Sequence, residues 1–420
     1  MIRRFVSSAV ATGVSLILLT GCGGSPLPLR APTAYETFTS APNRQLNNSK
    51  TKTGYELLYD FAGSPDGFAP QATFLEVNGL LYGTTRIGGA NQRGTVFIYD
   101  PSSNSERTIY SFTGSPDGDQ PYAGLVEING ALYGTTSRGG TYGFGTVYRI
   151  TRSGKERVLY SFKGPPDGAY PYTGLTAVDG VLYGTTSRGG SSRCRPSSSG
   201  PYGCGAIFRI TRSGREKILH RFHGGKQDGA WPWTPLLPVR ATLYGTASLR
   251  GPHGAGLVYA IGLNGGYRVV YSFGGPPDGS GPMGELIIKG GNLYGTTYEG
   301  GNYGNSGGWG TVFKLSENGK KERVLYSFGN SIGALPFAGV LYVNGRFFGT
   351  TAIGEGGTIF EMTLSGKAKL LHHFAGPPDG DAPLGNLTLF DGVLYGTTAG
   401  GGQCEHESGG CGTIFKIVPK

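Results

Sequence analysis

Three sets of residues in this 420-residue chain could do chemistry: carboxylates at repeated positions, paired cysteines, and tryptophans and arginines in glycine-rich stretches. An Asp recurs before Gly at Asp66, Asp117, Asp167, Asp228, Asp278 and Asp379, each followed four positions later by Pro. Carboxylates in turns are hard oxygen ligands and could hold Ca2+, but one per loop is few for an ion that takes about six to eight oxygens. The favoured reading is a turn in which the Asp hydrogen-bonds its own loop backbone while the following Gly adopts a left-handed conformation. Glu76 and Glu127 share a second repeated position, and paired carboxylates can act as acid and base in glycan cleavage. The other equivalents of that position are Ala177, Pro238, Ile288, Tyr342 and Leu389, so a solvated pair is the better reading. The six histidines share no register, and no nucleophile motif or phosphate loop is present.

Of the five cysteines, Cys194 with Cys204 and Cys404 with Cys411 form two local pairs. Each is expected to be a disulfide closing its own loop, worth roughly 2–3 kcal/mol by loop entropy. A metal site using His406 beside Cys404 and Cys411 is the alternative, but it lacks Cys-x-x-Cys spacing.

The elements that must position these groups come from one segment written seven times. Its core, Leu-Tyr-Gly-Thr-Thr, places an aromatic at Tyr82, Tyr133, Tyr183, Tyr244, Tyr294, Phe348 and Tyr395. Within the second unit the spacing predicts strands a to d at Leu125–Ile128, Ala131–Thr136, Thr146–Thr151 and Arg157–Phe162. All are short, rich in Val, Ile, Tyr, Phe and Thr, and bounded by turn residues. Asn129-Gly130 between a and b suits a type I′ hairpin. A four-stranded meander of about 50 residues is the size of a propeller blade. A d-type strand stands alone at Tyr55–Phe61 and the last unit ends after its c strand, so the N-terminal strand should complete the seventh blade. The expected fold is all-β, a closed seven-bladed β-propeller, with the 78 glycines at turns and the aromatics as core.

Residues 1–21 combine Arg3 and Arg4 with an apolar run too short to span a bilayer, a secretory signal. The run ends Leu19-Thr20-Gly21-Cys22, which resembles the lipobox of bacterial lipoproteins. That resemblance implies lipidation of Cys22, export, and attachment to a membrane, the outer one in a Gram-negative cell. Residues 22–54 read as a flexible tether and residues 55–420 as the propeller.

Unit for unit, the Leu-Tyr-Gly-Thr-Thr, Gly-Gly, Gly-Thr-Val-Phe and Asp-Gly-x-x-Pro elements resemble the GloVer tandem repeat of bacterial proteins. The resemblance implies a surface-anchored repeat protein and brings no established activity, so no site residue is transferred.

The b-to-c and d-to-a loops should share one face of the disc. That face would receive both cysteine-closed insertions and Trp231, Trp233 and Trp309, joined by Arg138, Tyr142, Arg188 and Tyr202. Rigid aromatics among Arg and Gly suit stacking on sugars or capture of an extended peptide; equally, they could merely pack on one another. The net charge of +10 is spread, with many of the positives on c–d hairpins such as Arg149, Arg152, Lys155 and Arg157, where they guard strand edges and could attract acidic glycans. No cluster resembles a nucleic-acid motif. The expectation is a monomeric binding module for a surface glycan or envelope protein, with a glycan-active lyase or hydrolase and a structural scaffold as alternatives.

Overall fold

Seven antiparallel meanders follow one another in the computed structural model, which describes residues 54–194, 203–303, 307–329, 331–353, 356–404 and 409–419. In blade two the strands are Val126–Ile128, Ala131–Thr136, Thr146–Thr151 and Glu156–Ser161, paired in order a–b–c–d. The b and c strands fall where the sequence places them. Strand d lies one residue earlier because Phe162 leaves the ladder: its N–H donates to the Gly145 carbonyl at 3.0 Å and its ring enters the core. Asn129 and Gly130 have φ of 53° and 77°, the pair of positive values that a type I′ turn needs.

The chain closes as the strand count requires. Tyr55–Asp60 pairs antiparallel with Thr413–Ile417 and becomes strand d of blade seven, in a sheet with Val393–Thr398 and Thr388–Phe390. Strand a of blade three, Thr176–Val178, touches the a strands of blades two and four, Val126–Ile128 and Leu237–Val239, so the a strands surround the axis.

Two contacts repeat at all seven junctions. The Phe that follows each strand d meets the strand-c aromatic of the next blade: Phe61–Phe97, Phe112–Tyr148, Phe162–Phe208, Phe222–Tyr259, Phe273–Phe313, Phe328–Phe360 and Phe374–Phe415. Their centroids are 5.0 to 5.4 Å apart. These rings are fully buried, each contributing about 1.5–3 kcal/mol. The repeated Pro at the start of each blade packs against the Gly before strand c of the preceding blade, from Pro121 on Gly94 round to Pro70 on Gly412. An open solenoid has no last-to-first contact of this kind.

The Leu-Tyr-Gly-Thr-Thr core has a steric explanation. Its Gly lies under the strand-c ring, so that a Cβ on Gly83 would sit 2.4 Å from Phe97. Its first Thr is buried and in several blades donates across the junction, as Thr84 does to the Ala123 carbonyl at 3.0 Å.

The expectation for the Asp-Gly turn needs one correction. The Asp does bond its own loop, Asp117 accepting from the N–H of Thr113 at 2.9 Å and of Gly118 at 2.6 Å. The following Gly is not left-handed, however; positive φ falls two residues after it, at Ala69, Gln120, Tyr170, Trp231 and Ala382. Glycine is required there for space, since a Cβ on Gly118 would lie 2.4 Å from Thr136 Cγ2 and one on Gly168 2.5 Å from Thr186 Cγ2. Unit six lacks the Asp and its Gly333 has a φ of 108°, yet Gly333 still faces Thr351, Leu335 keeps the positive φ two residues on, and Pro336 faces Gly310.

Candidate functional site

The d–a and b–c loops share a face because the d–a loop pairs with the end of strand b, as Gly118–Asp119 does with Arg138–Gly139. On that face, the residue after each repeated Pro opens the innermost stretch of its blade. In blades two, three and four it is aromatic: Tyr122, Tyr172 and Trp233, all half-buried. Tyr122 meets Tyr172 edge to face at 4.8 Å, and Tyr172 stacks on Trp233 at 4.7 Å with 13° between planes. The repeat thus turns one sequence position into a continuous row of rings.

Arginines flank the row. The Arg86 guanidinium lies 4.8 Å from the Tyr122 centroid, and that of Arg188 lies 3.6 Å from Trp231, whose side chain is buried. Arg138 is exposed and, like Arg86, opposes the effect of burial on the phenols of Tyr122 and Tyr172. Burial pushes the Tyr122 phenol up to about 12 and pulls Arg188 down to about 10, against the opposing influence of Tyr172 and Tyr170. Arg188 Nη1, Arg86 Nε and Trp231 Nε1 are buried and have no acceptor among the described residues.

The structure therefore brings Arg138, Arg188, Trp231 and Trp233 together and leaves other candidates apart. Trp309 packs with Tyr294, Val312 and Phe328 in a core cluster between blades five and six, and Tyr142 stands exposed. Cys22 and Tyr202 lie outside the described residues, as do His406, the signal at 1–21 and nearly all of the tether at 22–54. Arg86 and Tyr122 were missed by the sequence reading, although the register of the repeat marks both.

Both cysteine pairs are bonded, Cys194 to Cys204 and Cys404 to Cys411. Glu76 accepts from the Gly79 N–H at 2.8 Å and Glu127 from that of Gly130, so each caps the hairpin turn that follows it. Another carboxylate stands two residues before strand a of blade five, Ile287–Lys289. Glu285 occupies the position held by Gly124, Gly174 and Gly339, and adjacent strand starts approach closely there, a Cβ on Gly339 falling 2.4 Å from the Glu285 carbonyl. Burial pushes the Glu285 carboxyl up to about 7, opposed by a hydrogen bond to Asn386.

The repeated Asp residues serve the junctions between blades. Tyr59 donates to Asp66 at 3.0 Å and to Glu106 of the next strand d at 3.4 Å; Tyr110, Asp117 and Glu156 repeat this at 2.9 and 3.5 Å. Tyr160 with Asp167 and Glu216, and Tyr271 with Asp278 and Glu322, follow the pattern. Against the sequence expectation that no histidines share a register, His220 and His372 occupy the same strand-d position, and there the next blade supplies Tyr instead of Glu. His220 lies 3.2 Å from Asp228 and stacks on Tyr267, while His372 lies 3.0 Å from Asp379 and stacks on Tyr55. With both carboxylate oxygens given to donors, each Asp fits the turn reading better than an ion site.

A family model for the Gloeobacter/Verrucomicrobia repeat matches residues 46–195 and 196–415. The chain belongs to that family. No curated protein matches it in sequence. Among solved structures the family member is similar to an oligogalacturonate lyase in complex with manganese, at 12% identity and TM-score 0.53 over 87% of this chain and 96% of that one. A gluconolactonase from Xanthomonas campestris matches at 16% identity and TM-score 0.42, covering 87% and 89%. TolB from Acinetobacter baumannii matches at 16% and 0.38, covering 67% and 59%. At these identities the likeness is one of fold.

Proposed function

We propose that this repeat protein is an exported lipoprotein, held at the membrane by Cys22, whose propeller binds a glycan of the cell envelope through the face bearing the long loops. The observation that carries the reading is the half-buried row Tyr122, Tyr172 and Trp233 with arginines along it. Flat rings held rigidly by blade packing match the apolar faces of sugar rings, at little entropic cost. The test is a glycan array probed with the full chain carrying Cys22→Ser, beside the same chain carrying Trp233→Ala. Binding by the first and loss in the second supports the reading; binding by neither, with both folded, refutes it and leaves the scaffold role.

One observation favours a second reading, a glycan-active enzyme working in the channel. A carboxyl poised near neutrality, as at Glu285, is suited to general acid–base work. Turnover of any glycan that binds, abolished by Glu285→Gln with binding retained, would establish it; unchanged glycan after prolonged incubation would remove it.

A further inference from the structure

We propose that the arginine row makes this face selective for acidic sugars, the carboxylate of a uronic acid residue seating against Arg188 and Arg138 while its ring lies on the Tyr172–Trp233 pair. The proposal rests on the glycan-binding reading and names the ligand class.

Three successive blades each place one guanidinium along the ring row: Arg86 against Tyr122, Arg138 beside Tyr122 and Tyr172, and Arg188 against Trp231. Elsewhere some basic side chains meet acids, Arg93 with Asp119 at 2.9 Å, Lys416 with Glu56 at 3.0 Å and Arg346 with Glu361 at 3.5 Å, while others, such as Arg152 with its buried Nε, have no partner among the described residues. None of the three arginines of the row has a carboxylate partner among the described residues. Asp119 is opposite Arg138 in strand register, yet its carboxylate is bound by Arg93.

Half-burying a guanidinium without a counter-charge is unfavourable, and the buried Nη1 of Arg188 has no acceptor among the described residues, so an incoming carboxylate would meet the exposed side of the guanidinium. Burial has already drawn its pKa down to about 10. A carboxylate from outside would supply the absent charge and accept paired N–H donors from the planar fork. Rings that touch across three blades suit an extended chain of sugars rather than a lone one.

The test measures affinity by calorimetry on the full chain carrying Cys22→Ser. Three probes are used: a uronate oligosaccharide such as an alginate hexamer, the same oligomer with its carboxyls reduced, and a sulfated neutral oligosaccharide. The expected result is a preference of about tenfold or more for the uronate over its reduced form, weakening with salt. Arg188→Gln and, separately, the exposed Arg138→Gln should erase most of that preference, whereas Arg149→Gln on a c–d hairpin should not. Equal affinity for acid and reduced forms, a preference that survives both arginine variants, or tighter binding of the sulfated probe would overturn the selectivity while leaving the glycan reading standing. Binding of no probe, with the folded Cys22→Ser chain also silent on the array, would overturn both.

Discussion

At four blade junctions a Glu and an Asp share one Tyr hydroxyl, so stability should depend on pH with a sign opposite to ordinary acid denaturation. Glu106, Glu156, Glu216 and Glu322 are each pushed up to about 7, first by burial and then by Asp66, Asp117, Asp167 and Asp278. Arg107 opposes the shift at Glu106, and Arg221 and Lys163 oppose it at Glu216. A raised carboxyl binds its proton more tightly folded than unfolded. Its contribution is therefore fully present below the unfolded value of 4.5 and is lost as pH rises through about 7. A rise of about 2.5 units would be worth roughly 3.4 kcal/mol in full burial. These groups are partly solvated, so about 1 kcal/mol each is the expected size, or about 4 kcal/mol over four junctions. Asp228 and Asp379, lowered where histidines and tyrosines donate to them, lose their contribution only as pH falls, and so do not oppose the trend between pH 5 and 8. The assay is thermal unfolding at constant ionic strength. Tm should fall by about 5 °C from pH 5 to pH 8, and the quadruple Glu→Gln variant, which keeps a neutral partner for each Tyr, should lose more than half of that slope. Glu285, raised in the same direction, accounts for a remainder. A wild-type Tm that rises from pH 5 to 8, or a slope unchanged in the quadruple variant, would refute the reasoning.

Two glycines separate steric from conformational cost. Gly118→Ala should cost about 2–3 kcal/mol by forcing a methyl onto Thr136, while Gly130→Ala, in open space at φ 77°, should cost about 1 kcal/mol; denaturant melts that rank them the other way would contradict the packing argument. Deleting residues 1–60 strips the strand that pairs with Thr413–Ile417 and bares a sheet edge. Gel filtration should then show aggregate, and a stable monomer would argue against closure by this strand. Cys194→Ala with Cys204→Ala should lower stability by about 2–3 kcal/mol, read as a shift in the denaturant midpoint, and reducing agent, which opens both disulfides, should shift the wild type further. Cys22→Ser should move the protein from the membrane to the soluble fraction of a fractionated cell, and retention on the membrane would exclude lipid anchoring at that residue.

Much of the fold could be read directly, because a seven-fold repeat states the same strand pattern seven times. Turn dipeptides such as Asn129-Gly130 fix hairpins locally, the d strand at Tyr55–Asp60 is the complement of the blade that lacks one, and the short cysteine spacings allow only local bridges. All of these depend on a few consecutive residues or on counting. Tertiary structure decided what depends on the neighbouring blade. Gly118 is glycine because Thr136 stands against it, not because of its own φ. Asp117 answers to Glu156 about forty residues on, and the exchange of Glu for Tyr beside His220 and His372 shows that the junction, rather than the single repeat, is the unit of electrostatics. The same holds for the candidate site: Tyr122, Tyr172 and Trp233 are about fifty to sixty residues apart in sequence and in contact in space, whereas Trp309, of the same residue type and loop class and half-buried like them, packs against the core cluster between blades five and six. Residue type and register named the loop face; only the rotation from one blade to the next determined which of its side chains meet.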